Sequence, residues 1–549
     1  MTSSLASSVA AELSPSAYVD SFARDHLPPA GEWPDFLFDL PELQYPARLN
    51  CVAELLDRHV AEGRGARRAV LGAHLDWSYA ELQRQVDRIA HVLRTEMGLA
   101  PGNRVLLRGA NCPMMAAAIL AVLKAGLIAV PTMPLLRARE LGVILDKAKV
   151  DAVLCARALA AELDTALAQS AGHAPAVYFD DPGDPDSLEA RMARHDAPFA
   201  ALETAADDIC LISFTSGTTG VPKGTMHFHR DVLAICDCFP KHTLGARAND
   251  VFIGTPPLAF TFGLGGLLLF PLRVGAAAVL LEKLTPEGLL AAIEGFRATV
   301  CFTAPTFYRQ MTPLVPGHDI ASLHACVSAG EALPLATRDA WRAATGIEMI
   351  DGIGATELLH IFISASGADV RPGATGKPVP GYAACILDAK GEPVGPGVIG
   401  RLAVKGPTGC RYLADERQRQ YVLNGWNLTG DAYEMDADGY FHYRARTDDM
   451  IISAGYNIAG AEVEEVLLSH PAVLECGVVG RADEERGQIV EAHIVLEPGV
   501  EASPELVRTL QDFVKERIAP YKYPRAVRFT DKLPRTETGK LQRFKLRES

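Results

Sequence analysis

Short apolar runs alternate with amphipathic stretches along most of the chain. "RVLLRG", "LIAVPT", "DAVLCA", "DVFIGT", "AAAVLL", "ATVCFT" and "HACVSAG" read as strands. The stretches between and before them have helical spacing. "NCVAELLDRHVAE" predicts one helix. In "LDWSYAELQRQVDRIAHVL" Ser78 is placed to cap another, with Leu82, Val86, Ile89 and Val92 on one face. Strand after helix after strand predicts parallel α/β sheets. Ligands of such sheets collect at the carboxyl ends of strands. "LISFTSGTTG" and "HACVSAGEALP" both run from an apolar strand into a loop of small residues.

After about Pro378 the pattern changes. "ACILDAKGEPVGPGVIGRLAVKG" and "NLTGDAYEMDADGYFHYRARTDDMIIS" predict short antiparallel strands joined by Gly and Pro turns. The last stretch predicts a compact α/β unit, with helices in "GAEVEEVLLSH" and "PELVRTLQDFVKERI" and strands in "ECGVVG" and "EAHIVLE". A domain boundary is expected near "RTDD", giving an N-terminal domain 1–447 and a C-terminal domain 448–549. Residues 1–47 form a Pro-rich, aromatic arm expected to lie on the body of the protein. The sequence contains no internal repeat and no low-complexity segment.

Composition narrows the class. The 549 residues exceed one ordinary core, and 48% apolar with 22% charged residues is globular. A formal charge of -14 argues against nucleic acid or an anionic membrane as a partner, while leaving room for a local basic site. Two apolar stretches need testing as membrane spans. Lys124 interrupts one, and Pro271 and Arg273 the other, so both read as buried helix–strand units. The N-terminus lacks the basic start and apolar run of a secretory signal. Eleven scattered cysteines predict reduced thiols and a cytoplasmic location. Cys236-x-Cys238 and His227-x-His229 lack the usual ligand spacing and read as helical, so no metal is assigned to them.

"TSGTTGVPKG", from Thr215 to Gly224, carries the first chemistry. It fails the P-loop pattern, because a proline precedes Lys223 and a glycine follows it, and it fails the GxGxxG fingerprint. A plain Gly-rich turn explains the glycines. It does not explain four hydroxyls and a lysine, which suit phosphate oxygens.

The longer stretch "SFTSGTTGVPKG" resembles the phosphate-loop signature of the acyl-adenylate-forming (AMP-binding) superfamily. In the same order follow "SAGEALP", resembling its adenine-side strand end, and "DGIGATE", resembling its YGxTE motif. "TGD" resembles its ribose-binding turn, "RTDDMIISAGYNI" its hinge and C-terminal loop, and "PRTETGKLQR" its terminal lysine motif. The resemblance spans roughly Leu49 to the end, and "DGIGATELLHIF" is similar to the aryl-CoA ligase branch. It implies a large N-terminal domain of two α/β subdomains and a small β-barrel, with a small mobile α+β C-terminal domain. It also implies two steps. A carboxylate attacks the α-phosphate of ATP, giving acyl-AMP and pyrophosphate; the thiol of coenzyme A then displaces AMP. Mg²⁺ is the implied metal. Positioning and charge neutralisation should supply most of the catalysis.

The resemblance assigns roles residue by residue. Thr215, Ser216, Gly217, Thr218 and Thr219 would hold the β- and γ-phosphates, with Lys223 as an auxiliary charge. Ser328, Ala329, Gly330, Asp351, Gly352 and Ile353 would form the adenine side. Ile353 stands where the family usually has an aromatic residue, so adenine would meet an apolar wall without stacking. Thr356 would touch phosphate, and Glu357 would ligate Mg²⁺ as a hard oxygen donor. Asp431 would accept from both ribose hydroxyls, with Arg446 as a second contact; a turn aspartate and a surface arginine are the plainer readings. Lys540 would offset charge between carboxylate and α-phosphate. Asp448 matches the hinge on which the C-terminal domain would turn, replacing Lys540 by the Gly455–Tyr456 loop on the CoA side.

For the acid, Phe260 would be the gate, and Thr261, Phe262, Gly263, Gly354, His360 and Ile361 would line the pocket. His360 and Ile361 lie at i+3 and i+4 from Glu357 and share its face if that segment is helical. The glycines around Phe262 suggest a small, flat ligand close to the backbone. The N-terminal arm is more like that of 2-aminobenzoate-CoA ligases, which favours 2-aminobenzoate over benzoate. An adenylation enzyme loading a separate carrier protein and a non-catalytic ligand-binding regulator are the other classes. The expected partners are small molecules, with no nucleic acid and no membrane; a homodimer is compatible with the sequence.

Overall fold

The computed structural model describes residues 13–170, 172, 174–215, 222–453, 456–483, 486–518, 520–535 and 541–548. The apolar runs are strands of two large, mainly parallel sheets. One has six strands, in the spatial order Ala176–Phe179, Ala152–Ala156, Arg104–Arg108, Ile128–Thr132, Ile209–Thr215 and Lys223–Phe228; only the last pair is antiparallel. The other has nine. Its central strands run parallel from Met349–Gly354 through Ala325–Ser328, Val300–Thr303, Val251–Gly254 and Ala277–Val279 to Arg68–Leu71. Antiparallel strands close both ends.

Helices cover both faces of parallel strands, so these strands are apolar at every position rather than at every second one. Arg104–Arg108 and Ile128–Thr132 are buried throughout. Even Arg108 is enclosed, its guanidinium donating to the Met133, Pro134 and Leu136 carbonyls at 2.8, 2.9 and 2.9 Å. Helix Pro113–Lys124 is buried along its whole length. Lys124 at its end reaches Asp57 at 2.7 Å and Asp87 at 2.6 Å, so the charge that interrupts the apolar run is neutralised inside the protein. No helix of the described residues is long and apolar enough to cross a membrane.

Ser78 caps helix Tyr79–His91 reciprocally: the Glu81 amide donates to Ser78 Oγ at 3.3 Å, and the Ser78 amide to the Glu81 carboxylate at 2.8 Å. The helical reading of the next segment needs correction. His227 lies in strand Lys223–Phe228, and helix begins only at His229, running to Asp237 with Cys238 as its C-cap. Pairing with Ile209–Thr215 overrides the local pattern there.

From Ala383 to Arg446 the sheet is antiparallel. Strands Ala383–Leu387, Ile399–Lys405, Val422–Leu423, Trp426–Met435 and Phe441–Arg446 form a small barrel-like sheet. The remaining sheet comprises Ile451–Ser453, Tyr456–Ile458, Val473–Asp483, Gly487–Leu496 and Ala526–Phe529. Helices Gly460–Leu468 and Pro504–Arg517 cover it around Val463, Leu467, Val478, Ile494, Leu510 and Val514. The described residues thus form the architecture that the resemblance implies: a large N-terminal α/β part with a small barrel-like sheet, and a small C-terminal α+β unit. The described part of the N-terminal arm lies on the large part. Asp35 pairs with Lys405 at 2.6 Å, and Trp33 and Phe36 flank the buried Arg411 guanidinium.

Candidate active site

The two large sheets and the segment Thr408–Leu413 meet at one place. Thr215 ends strand Ile209–Thr215 and pairs with Lys223 across a hairpin, so the hydroxyl-rich loop joins two adjacent strands. Thr215 Oγ1 is buried without a hydrogen-bond partner among the described residues. Ser216, Gly217, Thr218 and Thr219 lie outside the described residues, as do Gly455 and Lys540; the side chains of Asp448 and Tyr456 are likewise outside.

From the nine-stranded sheet, Ser328 and Asp351 arrive side by side, as paired residues on neighbouring parallel strands. Ala329 and Gly330 follow Ser328, and Gly352 and Ile353 follow Asp351. Ser328 Oγ and Asp351 Oδ1 are both shut off from solvent without a partner among the described residues. Burial pushes the Asp351 carboxyl up to about 7, and the Gly352 amide and the neighbouring Ser328 hydroxyl moderate the rise. Ile353 is partly buried against the main core.

Thr356 and Glu357 sit in a single tight turn, Thr356–Leu358. The helical condition for a shared face is not met beyond this turn. Leu359 takes φ +70° and reverses the chain into strand Ile361–Ser364, which pairs back onto Met349–Gly354 with Gly354 opposite Ile361. His360 and Ile361 therefore reach the site as the start of a returning strand, not as the next helical turn.

Glu357 is buried, and its Oε1 accepts a 2.5 Å hydrogen bond from the Tyr412 hydroxyl. The Tyr412 oxygen in turn accepts from Lys223 Nζ at 2.9 Å, and Lys223 Nζ lies 3.9 Å from Glu357 Oε1. The Lys223 ammonium also faces the Tyr412 and Tyr421 rings at 4.8 and 5.9 Å. Tyr412 was not singled out from sequence. It belongs to a segment that hydrogen-bonds along strand Lys223–Phe228, through Leu413 N to Gly224 O at 2.8 Å and Met226 N to Arg411 O at 2.8 Å. Thr408 Oγ1 ties the same segment to the Glu357 turn through Leu358 O at 2.7 Å.

Asp431 and Arg446 face each other across an antiparallel pair, and Arg446 Nη1 donates to Asp431 Oδ1 at 3.0 Å and to Thr429 O at 3.1 Å. A Cβ on Gly430 would stand 2.7 Å from Arg446 Nη2, so the glycine lets the guanidinium lie flat against the turn. Arg446 also lines a narrow groove with Tyr443, Asp449, Gly460 and Arg543, where the C-terminal unit meets the barrel-like sheet.

Three residues after Glu357, His360 is buried in an aromatic shell. Its ring centroid is 4.4 Å from Phe270, 5.8 Å from Phe262, 5.9 Å from Phe239 and 6.4 Å from Phe302. Nε2 donates to the Phe262 carbonyl at 3.3 Å, which leaves Nδ1 as an acceptor, buried and without a partner among the described residues. Burial holds the imidazole down at about 3 despite that hydrogen bond, so it is neutral at ordinary pH. Phe260 caps the short helix Thr261–Leu264, in which Thr261 is buried. The space at Gly263 is filled by the Pro257 carbonyl, and that at Gly265 by His360.

His229 meets Cys51 and Cys210 in a buried cluster whose ligand atoms lie within 4.8 Å of one another. Its Nδ1 already accepts the Cys51 amide at 3.2 Å, so that lone pair is engaged within the protein. Cys236 and Cys238 belong to the core.

Comparison with known proteins finds relatives of the whole chain. The AMP-binding enzyme family matches residues 57–412, and the AMP-binding enzyme C-terminal domain matches 462–540. A benzoate–CoA ligase of Thauera aromatica is 37% identical over 522 residues, which span 93% of this chain and 98% of that protein. The crystal structure of an anthranilate CoA ligase in complex with anthranoyl-AMP has a TM-score of 0.86 at 33% identity, covering 93% of this chain and 98% of that one. A benzoate CoA ligase from Burkholderia xenovorans has a TM-score of 0.82 at 34% identity, covering 91% and 100%.

Proposed function

This chain belongs to the AMP-binding enzyme family and is an aryl-CoA ligase, and from that premise we propose that its acid is 2-aminobenzoate. The single observation that carries the choice is His360 Nδ1, a buried acceptor without a partner among the described residues. An unsatisfied buried acceptor costs roughly 1–3 kcal/mol. An acid bearing an N–H donor removes that cost, whereas benzoate brings no donor and leaves it standing. The resemblance to a ligase solved with anthranoyl-AMP supports the same reading. Benzoate is the second reading, favoured by the phenyl rings around His360 and by 37% identity to a benzoate–CoA ligase.

ATP and CoA are the co-substrates of this family. The Thr215–Thr219 loop and Lys223 hold the β- and γ-phosphates, and Ser328 and Asp351 face the adenine side. Asp431 accepts from the ribose hydroxyls while Arg446 holds its carboxylate in place. Glu357, a buried carboxylate beside the Thr356 hydroxyl, offers the hard oxygen donors that suit Mg²⁺. When bound there, the ion supplies charge neutralisation at the phosphates. Lys540 offsets charge as the carboxylate oxygen attacks the α-phosphate and pyrophosphate leaves. Rotation about Asp448 then withdraws Lys540 and brings the Gly455–Tyr456 loop to the cleft, where the CoA thiol attacks the acyl carbon and AMP leaves. Residues 1–447 and 448–549 move as separate bodies on this reading.

The test is CoA-dependent AMP production with 2-aminobenzoate, benzoate, hydroxybenzoates and medium-chain fatty acids. The highest kcat/KM should fall to 2-aminobenzoate. Benzoate ahead of it refutes the substrate choice, and a preference for fatty acids refutes the aryl assignment. Acylation of a carrier protein without CoA turnover would place the protein among carrier-loading enzymes.

A further inference from the structure

This inference rests on the proposed role of Glu357 as a Mg²⁺ ligand. Glu357 Oε1 is taken by the Tyr412 hydroxyl at 2.5 Å, and among the described residues Oε2 carries no hydrogen bond. Lys223 does not bond the carboxylate directly. Its ammonium donates to the Tyr412 oxygen at 2.9 Å and stays 3.9 Å from Oε1. The phenol therefore stands between a buried carboxylate and the nearest cation.

We propose that Tyr412 is a positioning residue for Glu357: its hydroxyl fixes the carboxylate with Oε2 free for a divalent cation and keeps the Lys223 ammonium from closing on it. Tyr412 is well placed for this. Only 1% of it is exposed, and its backbone amide donates to Gln418 Oε1 at 2.9 Å. Gln418 is itself anchored to the Cys410 carbonyl at 3.0 Å and to the Glu32 carbonyl of the N-terminal arm at 2.8 Å. Without the hydroxyl, nothing separates ammonium and carboxylate. The Lys223–Glu357 ion pair, now 3.9 Å apart, would then tighten and compete with the divalent cation for the same oxygens.

The experiment uses the full chain and Mn²⁺ in place of Mg²⁺, with binding followed by electron paramagnetic resonance in the presence of a non-hydrolysable ATP analogue. In Tyr412→Phe the Kd for Mn²⁺ should rise on the order of 10-fold, the effect expected for losing a partner that orients a metal ligand. The Kd for the aryl acid alone, measured with a chelator present, should stay at the wild-type value. A merely structural role would move both. Equal Mn²⁺ affinity in wild type and variant, with wild type binding normally, overturns the positioning role and leaves the reading of Glu357 intact. A wild-type protein that binds no Mn²⁺ overturns that reading and this inference with it. If circular dichroism shows Tyr412→Phe to be unfolded, Lys223→Met decides. With the ammonium removed and no nucleotide present, Mn²⁺ should bind several-fold more tightly, and an unchanged Kd overturns the proposal.

Discussion

Replacing Asp351 by asparagine should change how the stability of the nucleotide-free protein depends on pH. Asp351 Oδ1 is sealed from solvent without a partner among the described residues, and burial pushes the carboxyl from 3.8 up to about 7. A carboxyl raised in this way holds more protons in the folded than in the unfolded protein between those two values. Its contribution therefore falls as pH rises through that window. At 1.36 kcal/mol per unit, a rise of roughly three units amounts to about 4 kcal/mol once ionisation is complete. That figure is a ceiling, because part of the residue meets solvent. Between about pH 5 and pH 8 the same arithmetic gives a loss of about 2–3 kcal/mol. Asparagine does not ionise and should not show it. Urea unfolding of wild type and Asp351→Asn at several pH values isolates the group, because other titrations cancel in the difference. The variant should gain on the wild type from pH 5 upward, with the gain levelling off above about pH 7. A difference that stays flat over that range refutes the argument that this carboxylate is buried at a cost.

Three further outcomes follow from the site. His360→Leu keeps an apolar wall but removes the free acceptor, so the preference for 2-aminobenzoate over benzoate in kcat/KM should fall about 10-fold, the loss of one buried hydrogen bond; an unchanged ratio would remove His360 from the recognition of the amino group. Gly265→Ala places a Cβ 2.3 Å from His360 Cδ2 and 3.0 Å from Phe270 Cζ. The surrounding phenyl rings leave the imidazole little room to yield, so KM for the aryl acid should rise about 10-fold or more with KM for ATP unchanged; steady-state kinetics in both substrates checks the split. Lys540→Ala should abolish acid-dependent ATP–pyrophosphate exchange while largely sparing CoA thiolysis of supplied acyl-AMP, and equal loss of both half-reactions would contradict its assignment to the first step.

The sequence alone determined the elements and their class, because parallel strands covered on both faces must be apolar throughout. "RVLLRG" and "LIAVPT" are therefore legible without tertiary information. The Ser78 cap is legible for the same kind of reason: Ser78 and Glu81 satisfy each other within one turn of chain. The loop chemistry is equally local, since hydroxyls and glycines in ten residues suit phosphate wherever the loop sits. Other features were decided only by the fold. A helical spacing from Glu357 to His360 gave way to a returning strand, because the left-handed Leu359 and the ladder to Met349–Gly354 outweigh local propensity. His227 became strand through its pairing with Leu211. Tyr412 carries no motif of its own; it reaches Glu357, 55 residues earlier, only because its segment adds to the edge of strand Lys223–Phe228. The free acceptor on His360 is also a tertiary product, since it depends on the Phe262 carbonyl claiming the opposite nitrogen. Short-range pattern fixes which residues can do chemistry, and long-range packing fixes which of their atoms are left free to do it.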